Sequence, residues 1–467
     1  MANKLSSDQV NVLNDFKRYL EDASNYMVVS GAAGTGKTTL IQELQTAAYD
    51  NSWKCIPLGV WGRSSSTIVQ ITGIPAVTVS KYNRVHSDIL NQKISAKTFS
   101  EWYENFYQKK FSFFSSYVAP ILKIFLQKRI EFKNTVLIID EASTLEIDEL
   151  LLAFKNTQAN SSKVKILLLG DDCQLPPRNS QANKLFDLRW IEDNTQFETF
   201  ESIKKLEISH RVSEGPLFNL ASSIRNIVLA GGSGEEARTK IRDSFNSEEV
   251  LGLGKQICYE KLKNTNNIKE NIFIASEDEA AEVREELRNI YLEHPEKSLV
   301  TNDFIRSRIN GIKDDFVTGD EFYVKEVIDS VANFVIVKVE VVSRIKEYTG
   351  NFLRDIWKFS SGLFTNNQNR EAKIAIYLPP LVDDTEFSNG TNYVRRDIFT
   401  AWNSLEDEPK VDDVIAASYG YAVTIKHAQG GEWDNVAISL NAEVQYDNAR
   451  YWYTAVTRAK KQLFIIW

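Results

Sequence analysis

The stretch that decides the fold is Gly31-Ala32-Ala33-Gly34-Thr35-Gly36-Lys37-Thr38. It has the spacing of a phosphate-binding loop, in which small residues allow successive backbone N–H groups to surround the phosphates of a nucleotide. An apolar strand is predicted directly before it, at residues 26–30, and a helix directly after it, at residues 39–45. Strand, loop and helix in this order are the context that confirms the motif. The sequence therefore predicts a nucleoside triphosphate site.

Each part of this loop has an expected task. The Lys37 ammonium is expected to neutralise phosphate charge, and the Thr38 hydroxyl is expected to hold Mg²⁺. We expect ATP to be the nucleotide. Its predicted binding residues in this segment are Gly31, Ala32, Ala33, Gly34, Thr35, Gly36, Lys37, Thr38 and Thr39.

Further apolar strands follow the loop along the chain. Residues 26–30, 55–60, 135–139 and 164–169 are predicted strands, and helical stretches separate them. Strands that alternate with helices indicate an α/β fold with a doubly wound parallel sheet, whose ligands bind at the carboxyl ends of the strands. A helix is also predicted over residues 5–20, with Ser6 or Ser7 as its N-cap. Its apolar face is predicted to consist of Val10, Leu13, Phe16 or Lys17, and Leu20.

Two acids end the strand predicted at residues 135–139. Asp140 is expected to hold Mg²⁺, largely through water, because this ion keeps much of its hydration shell. Glu141 is expected to orient or deprotonate the water that attacks the nucleotide. A strand that ends in carboxylates opposite a phosphate-binding loop is typical of a Mg²⁺-dependent ATPase.

A second strand leads into Gly170-Asp171-Asp172-Cys173-Gln174-Leu175-Pro176-Pro177. The Gln174 amide can sense the γ-phosphate, and the two prolines stiffen the segment that follows. At this point the sequence resembles superfamily 1 helicases. The remaining motifs of that family follow in the family's order, and their wording is most similar to the 5′→3′ branch with the Dda, RecD and Pif1-type helicases.

The resemblance assigns roles to residues in the second half of the chain. It implies that Arg211, in Leu206–Arg211, and Arg458, in the run 453–461, reach the γ-phosphate, the latter as an arginine finger. In the run 421–434, it implies that Thr424 and His427 lie near the DNA backbone. Glu432 is implied to lie near the ribose or in the nucleotide coupling network.

Other likenesses concern the first half of the chain. Gln9 is similar to the glutamine of the family's Q motif, which reads the adenine edge. The segment at Trp61-Gly62-Arg63-Ser64-Ser65 and the segment at Thr78-Val79-Ser80 are similar to motifs that contact the single strand. The predicted nucleic-acid contacts are therefore Arg63, Ser64, Thr78, Ser80, Thr424 and His427.

The resemblance implies two RecA-like lobes with parallel sheets. Lobe 1A is predicted at residues 1–204, with an insertion at about 82–130, and lobe 2A at 205–300 plus 400–467. Residues 301–399 have alternating, strand-like patterns and are predicted to form an SH3-like β-barrel insertion, 2B. Residues 99–117 are rich in aromatic side chains. They fit either a core or a surface insertion that meets bases or a duplex end.

Composition narrows the class of protein. The chain has 467 residues, 43% of them apolar, which is ordinary for a globular protein of several domains. Its three cysteines and four histidines are scattered and indicate neither a disulfide framework nor a metal hydrolase. No signal peptide or membrane span is predicted, so we expect a bacterial or phage-infected host cytoplasm. The net charge of −8 predicts that polynucleotide binding is local and salt-sensitive.

The predicted function is therefore an ATP-dependent DNA helicase or translocase that moves 5′→3′ on single-stranded DNA. The expected partners are single-stranded DNA and forked or tailed duplexes, with single-strand-binding or replication proteins as candidates. The chain is expected to be a monomer that does not bind membranes. Alternatives are a translocase that removes proteins from DNA without unwinding, an RNA helicase, and a P-loop kinase or metabolic NTPase.

Overall fold

The computed structural model describes residues 5–74, 76–83, 134–159, 161–177, 183–208, 215–245, 247–264, 268–276, 278–293, 298–308, 311–312, 316, 319–343, 371–377, 391–441 and 448–467. Arg211 and the aromatic run 99–117 lie outside these ranges, so their predicted roles stay predictions. The described strands form two parallel sheets and one closed barrel. The predicted fold class, parallel-sheet lobes with a β-barrel insertion, is confirmed.

The first sheet has six parallel strands in the order β3-β2-β4-β5-β1-β6. The strands that the sequence predicts before residue 170 are all present in it. Its members are β1 (Tyr26–Gly31), β2 (Trp53–Gly59), β3 (Val77–Thr78), β4 (Asn134–Asp140), β5 (Lys163–Gly170) and β6 (Lys204–Leu206).

Helices cover both faces of this sheet, and for that reason β1 and β4 consist almost entirely of buried residues. The helices of the first lobe are α1 (Ser7–Glu21), α2 (Lys37–Asp50), α3 (Gly62–Thr72), α4 (Ile147–Gln158) and α5 (Leu188–Asn194).

Helix α1 begins as predicted, and most of its predicted apolar face is buried. Ser6 is its N-cap, and Gln9 completes a capping box. Phe16 and Leu20 are buried as predicted, and Leu13 packs against the same core. The prediction for Val10 is wrong, since this side chain is 41% exposed and Val12 is buried in its place.

The second lobe begins after β6. Its first elements are α6 (Pro216–Leu229), α7 (Gly234–Asp243), β7 (Val250–Leu253), α8 (Lys255–Asn264), β8 (Asn271–Ala275) and α9 (Ala280–Leu292).

A closed barrel of five strands follows, in the order β10-β11-β12-β13-β9. Its pairings are antiparallel except for the parallel pair β12–β13. The last barrel strand lies beyond residue 399, the end predicted for this insertion. The elements are β9 (Phe304–Ser307), β10 (Glu321–Val331), β11 (Phe334–Ser343), β12 (Glu371–Tyr377), α10 (Thr391–Asn403) and β13 (Asp413–Tyr419).

After the barrel the chain returns to the second lobe and completes its sheet. The order β14-β8-β15-β16-β7 is parallel throughout. The returning elements are β14 (Ala422–Thr424), α11 (Ile425–Ala428), β15 (Trp433–Ser439), α12 (Ala449–Val456) and β16 (Ala459–Ile466). In both lobes, the functional segments therefore follow the carboxyl ends of parallel strands. None of the described helices is both long and apolar enough to span a membrane.

A buried ion pair joins α9 of the second lobe to the start of the barrel. The Arg288 guanidinium donates to both carboxylate oxygens of Asp303, at 2.6 and 2.9 Å. It also donates to the Ser298 carbonyl, at 2.7 Å. Arg288 is 2% exposed and Asp303 is fully buried, so each charge depends on the other.

We predict that Arg288→Ala destabilises the chain strongly, by about 3–5 kcal/mol, because it leaves the buried Asp303 charge without its counter-ion. Thermal unfolding followed by circular dichroism measures this. The control is Arg242→Ala, which removes the exposed pair between Arg242 and Glu235 and should change stability by about 1 kcal/mol or less. Similar losses in the two variants would contradict a special role for the Arg288–Asp303 pair.

Candidate active site

A cavity of about 480 Å³ lies between the two parallel sheets. This volume is in the range of small-molecule sites. The first lobe contributes Ala33, Gly34, Gly36, Lys37, Thr38, Thr39, Arg63, Ser64, Asp140, Glu141 and Gln174 to its wall, and the second contributes Gly430, Gly431, Glu432, Arg458 and Lys460. Most of the predicted catalytic and nucleotide residues therefore share one cavity.

The phosphate-binding loop runs from the end of β1 to the first turn of α2. Gly34 and Gly36 adopt φ values of 82° and 78°, a left-handed conformation that favours glycine. The Lys37 ammonium donates to the carbonyls of Gly31 and Ala32, at 2.6 and 2.9 Å. The loop is therefore closed around its own lysine, and the exposed end of α2 offers N–H groups to an anion.

Thr38 and Asp140, the residues predicted to hold Mg²⁺, are in direct contact. The Thr38 hydroxyl donates to the Asp140 carboxylate, at 2.6 Å. Burial, together with the neighbouring Glu141 charge, raises the pKa of Asp140 to about 6. A buried carboxylate beside a hydroxyl provides the oxygen ligands that Mg²⁺ prefers, and a cation there would favour the ionised acid. The residues present therefore fit Mg²⁺.

Glu141 has an unusual backbone conformation. Its φ is +58°, in the left-handed region that side chains other than glycine rarely adopt. The turn that follows it, Ala142–Thr144, is a 3₁₀ helix whose Thr144 hydroxyl bonds to the Glu141 carbonyl, at 3.3 Å. The Trp61 indole N–H in turn donates to that hydroxyl, at 2.8 Å. Such strain at a carboxylate facing a cavity is typical of functional sites.

Gln174 forms part of the cavity wall next to these acids. The residue is only 2% exposed, and its side-chain oxygen Oε1 has no hydrogen-bond partner among the described residues. A buried amide oxygen without a partner costs free energy unless a ligand or water bonds to it. This geometry fits the predicted contact with a water or group at the phosphate end of a nucleotide.

Arg458 is held at the cavity wall by the second lobe. Its guanidinium donates to the carbonyls of Thr454 and Gly431, at 3.0 and 3.2 Å, and to the Thr457 hydroxyl, at 3.1 Å. The residue is 2% exposed. Glu432, which the sequence also assigns to the nucleotide, is exposed on the same wall.

Gln9 lies behind the loop instead of in the cavity wall. Its amide nitrogen donates to the Thr35 carbonyl, at 3.2 Å, and its amide oxygen accepts from the Ser6 N–H, at 3.0 Å. In this arrangement the side chain joins the N-terminus of α1 to the phosphate-binding loop. Its predicted contact with adenine stays a prediction.

The predicted nucleic-acid residues fall into two groups, of which the first lines the same cavity as the nucleotide residues. Arg63 donates to Glu321 of the barrel, at 2.9 Å, and stacks on the Trp433 ring, with 5.0 Å from guanidinium carbon to ring centre. Burial and the nearby Arg306 charge lower the pKa of Arg63 to about 10, which leaves it charged at neutral pH. Ser64 caps α3 by accepting from the Trp61 N–H.

The second group lies at the ends of strands away from the cavity. Thr78 ends β3 and its hydroxyl accepts from the Lys81 N–H, at 3.2 Å, while Ser80 is exposed. Thr424 ends β14, and its hydroxyl lies 2.8 Å from Nδ1 of the exposed His427. These four positions offer polar groups at the carboxyl edges of both sheets.

Sequence reasoning missed the contacts that join the lobes next to Gln174. Asp171 and Asp172 at the end of β5 bond to Arg225 of α6, while Arg450, Tyr453 and Thr454 of α12 reach the same segment. Asp171, Asp172 and Cys173 also cluster closely enough to suggest a metal site, but Arg225 already pairs with both carboxylates. Helix α12 overlaps the motif at residues 453–461, and this overlap could have indicated its contacts. Helix α6 carries no motif, so nothing in the sequence indicated Arg225.

Comparison with known proteins agrees with this two-lobed site. Residues 4–187 match the family model of the AAA domain, and residues 419–466 match that of the UvrD-like helicase C-terminal domain. These are the segments that supply the loop, the acids and Arg458. Both matches agree with the resemblance to superfamily 1 helicases.

Two curated relatives align with nearly the whole chain. The uncharacterized protein MJ1519 of Methanocaldococcus jannaschii is 23% identical over 94% of the chain. The RecBCD enzyme subunit RecD of Buchnera aphidicola subsp. Schizaphis graminum is 21% identical over 100% of it. The chain spans 36% of the length of MJ1519 and 74% of that of RecD.

A solved structure shares the fold. The Pif1 helicase from Bacteroides, crystallised with ADP-AlF3 and single-stranded DNA, superposes with a TM-score of 0.50 at 15% identity. The match covers 99% of this chain and 92% of that one. At this identity the likeness supports the fold of the chain and not the roles of its residues.

We predict that Asp140→Asn stabilises the metal-free protein at pH 7 by a few degrees in melting temperature. The native pKa of about 6 lies above the ordinary value of 3.8, so the native state holds this proton more tightly than the unfolded chain. Ionisation therefore destabilises the native fold as the pH rises from about 4 to about 6, and the amide removes that cost.

Melting temperatures in the presence of a chelator, at pH 7 and at pH 4, measure this effect. The stabilisation by Asp140→Asn should shrink towards pH 4, where the native carboxyl is already protonated. The control is Asp148→Asn, which changes an exposed acid on α4. A lower melting temperature for Asp140→Asn than for the parent at pH 7 would show that the buried Asp140 charge does not destabilise the native state.

Proposed function

We propose that this chain hydrolyses ATP with Mg²⁺ and couples hydrolysis to movement along single-stranded DNA, 5′→3′, with separation of duplex strands. One observation carries the proposal. The phosphate-binding loop and acids of the first lobe and the arginine of the second lobe line the same cavity. A nucleotide that contacts both lobes favours their closed arrangement, and hydrolysis of that nucleotide allows the lobes to open again.

The proposed chemistry assigns a task to each group. Lys37 neutralises the phosphates, Glu141 orients or deprotonates the attacking water, and Gln174 bonds to that water or to the γ-phosphate. Arg458 stabilises the charge that develops in the transition state. Thr38 and Asp140 would hold Mg²⁺, which supplies further charge neutralisation when bound. Arg211 is proposed as a second arginine from lobe 2.

Binding of DNA is proposed for the carboxyl edges of the two sheets. Thr78, Ser80, Thr424 and His427 offer polar groups there, and the Bacteroides Pif1 structure that shares the fold was solved with single-stranded DNA. Hydroxyl and imidazole contacts to phosphates read no sequence, so we expect little sequence preference. The lobes, 1–204 and 205–300 plus 400–467, would then move the strand in steps, with the barrel guiding the duplex.

The test is ATP hydrolysis at low salt with and without single-stranded DNA, on the full chain. We predict strong stimulation by DNA, and loss of that stimulation as salt rises, because phosphate contacts release counter-ions. Lys37→Ala should abolish turnover. Arg458→Ala should slow turnover by about 10³–10⁵-fold with ATP binding largely retained.

Lys461→Ala is the matched control, because it removes a cation near Arg458 whose side chain is 70% exposed and pairs with Asp434. It should leave turnover near the parent value. Normal turnover by Arg458→Ala would show that the arginine has another role.

Duplexes with a 5′ or a 3′ single-stranded tail then test direction and unwinding. Separation of the 5′-tailed duplex alone supports the proposal. ATPase stimulation without strand separation would favour a translocase that removes bound proteins. Stronger stimulation by RNA would favour an RNA helicase. A rate of ATP hydrolysis that neither DNA nor RNA changes would contradict the proposed motor.

A further inference from the structure

The segment between β5 and Gln174 is fixed by a buried polar cluster whose members come from both lobes. Asp171 is fully buried, and its Oδ2 accepts from the Tyr453 hydroxyl of α12, at 2.7 Å. Its Oδ1 accepts from the Arg225 guanidinium of α6 and from the Cys173 N–H, the latter at 3.2 Å. We call Asp171, Arg225 and Tyr453 the interlobe triad.

The three side chains of the triad also bond to one another. Arg225 also donates to the Tyr453 hydroxyl and to the Asp172 carboxylate, both at 3.1 Å. Burial and the Asp171 charge raise the pKa of Tyr453, so the phenol stays protonated and donates. A buried carboxylate needs a counter-charge and hydrogen bonds, and here the second lobe provides the counter-charge. Separation of the lobes would therefore remove the counter-charge of Asp171 and expose this carboxylate to water.

Asp171 also shapes the turn that presents Gln174. The Gln174 N–H donates to the Asp171 carbonyl, at 3.1 Å. The second lobe holds the other side of this turn. Arg450 bonds to the Gln174 carbonyl, at 3.3 Å, and the Leu175 N–H donates to the Thr454 hydroxyl, at 3.0 Å. The unpartnered Oε1 of Gln174 is thus placed in the cavity wall by contacts with α12.

The same helix positions Arg458. The Arg458 guanidinium donates to the Thr454 carbonyl, at 3.0 Å, one turn before it. Tyr453, Thr454 and Arg450 all lie on α12. Helix α12 therefore contacts the turn of Gln174 in the first lobe and also bonds to Arg458 of the second lobe, and both groups line the same cavity.

We propose that the interlobe triad is a positioning site, which aligns Gln174 relative to Arg458 for hydrolysis only when the lobes are closed. The inference rests on the proposed ATP hydrolysis. Triad residues do not touch the nucleotide; they act through Gln174. Loss of the triad should therefore reduce kcat while ATP still binds to the first-lobe loop.

The primary variant is Tyr453→Phe, which removes one hydroxyl and keeps the ring. We expect kcat for basal ATP hydrolysis to fall by about 10- to 100-fold, the size of effect seen when catalytic groups are slightly misplaced. The dissociation constant of a fluorescent ATP analogue should change by less than about threefold. Arg225→Gln should behave in the same way.

The matched control is Arg238→Gln. Arg238 packs on Trp452 of the same helix, with 5.7 Å from guanidinium carbon to ring centre, and pairs with Glu235 within the second lobe. It should leave kcat near the parent value. All assays run well below the melting temperature of each variant, which is measured in parallel. A loss of kcat in the control equal to that in Tyr453→Phe would overturn the proposal.

The double variant Tyr453→Phe/Gln174→Ala separates positioning from general destabilisation. If the triad acts through Gln174, the double variant should have nearly the same kcat as Gln174→Ala alone. Multiplied losses would show that the two act independently and would overturn the proposal. Unchanged kcat in Tyr453→Phe would overturn it as well.

A binding measurement distinguishes this inference from the proposed function. The triad should matter for a transition-state analogue, so Tyr453→Phe should weaken binding of ADP with aluminium fluoride about tenfold more than binding of ADP. This difference can be measured whether or not DNA stimulates turnover. Equal weakening for both ligands would overturn the positioning role, even in a chain that proves to be an active helicase.

Discussion

The carboxylate of Asp171 ends a buried strand of the first lobe, while the guanidinium and phenol that neutralise it belong to the second. This ion pair constrains how the lobes meet, because a buried charge cannot be left without partners at low cost. The position of Gln174 depends on the turn that Asp171 begins, and the position of Arg458 depends on the helix that carries Tyr453. The shape of the cavity therefore follows from a contact outside it.

Hydrogen bonds within the protein also hold the charges that line the cavity. Lys37 donates to carbonyls of its own loop, and Arg458 donates to oxygens of its own lobe. Both cations are held close to the site, so little reorganisation is needed when phosphate oxygens replace those partners. Asp140, by contrast, is an acid whose pKa is raised to about 6 by burial and by the Glu141 charge. A bound cation would reverse this rise in the pKa of Asp140. A chain of negative net charge can thus hold cations in position for a negatively charged ligand.

Local motifs and strand order made much of this predictable. Lys37, Asp140 and Gln174 follow β1, β4 and β5, which neighbour one another in the sheet, so their meeting follows from the parallel-sheet rule. Arg225 could not be predicted, because its partner lies far away in sequence and α6 carries no motif. The predicted end of the insertion at residue 399 assigns the strand Asp413–Tyr419 to the second lobe, but this strand pairs with β12 and β9 of the barrel. Arg63 was expected on the DNA and lies in the cavity wall, paired with Glu321, a contact between distant segments that spacing does not encode.

The most direct test of the account is the distance between the lobes as nucleotide binds. Energy transfer between two fluorescent labels reports this distance. The labels are attached at Tyr49→Cys on α2 and Leu229→Cys on α6, which are exposed positions. The partly buried Cys55 is replaced by serine so that it is not labelled. The account predicts a shorter, narrower distance distribution with ADP and aluminium fluoride than without nucleotide, and a smaller change in Arg458→Ala. Identical distributions with and without a nucleotide analogue whose binding is shown separately would contradict closure of two lobes on one phosphate.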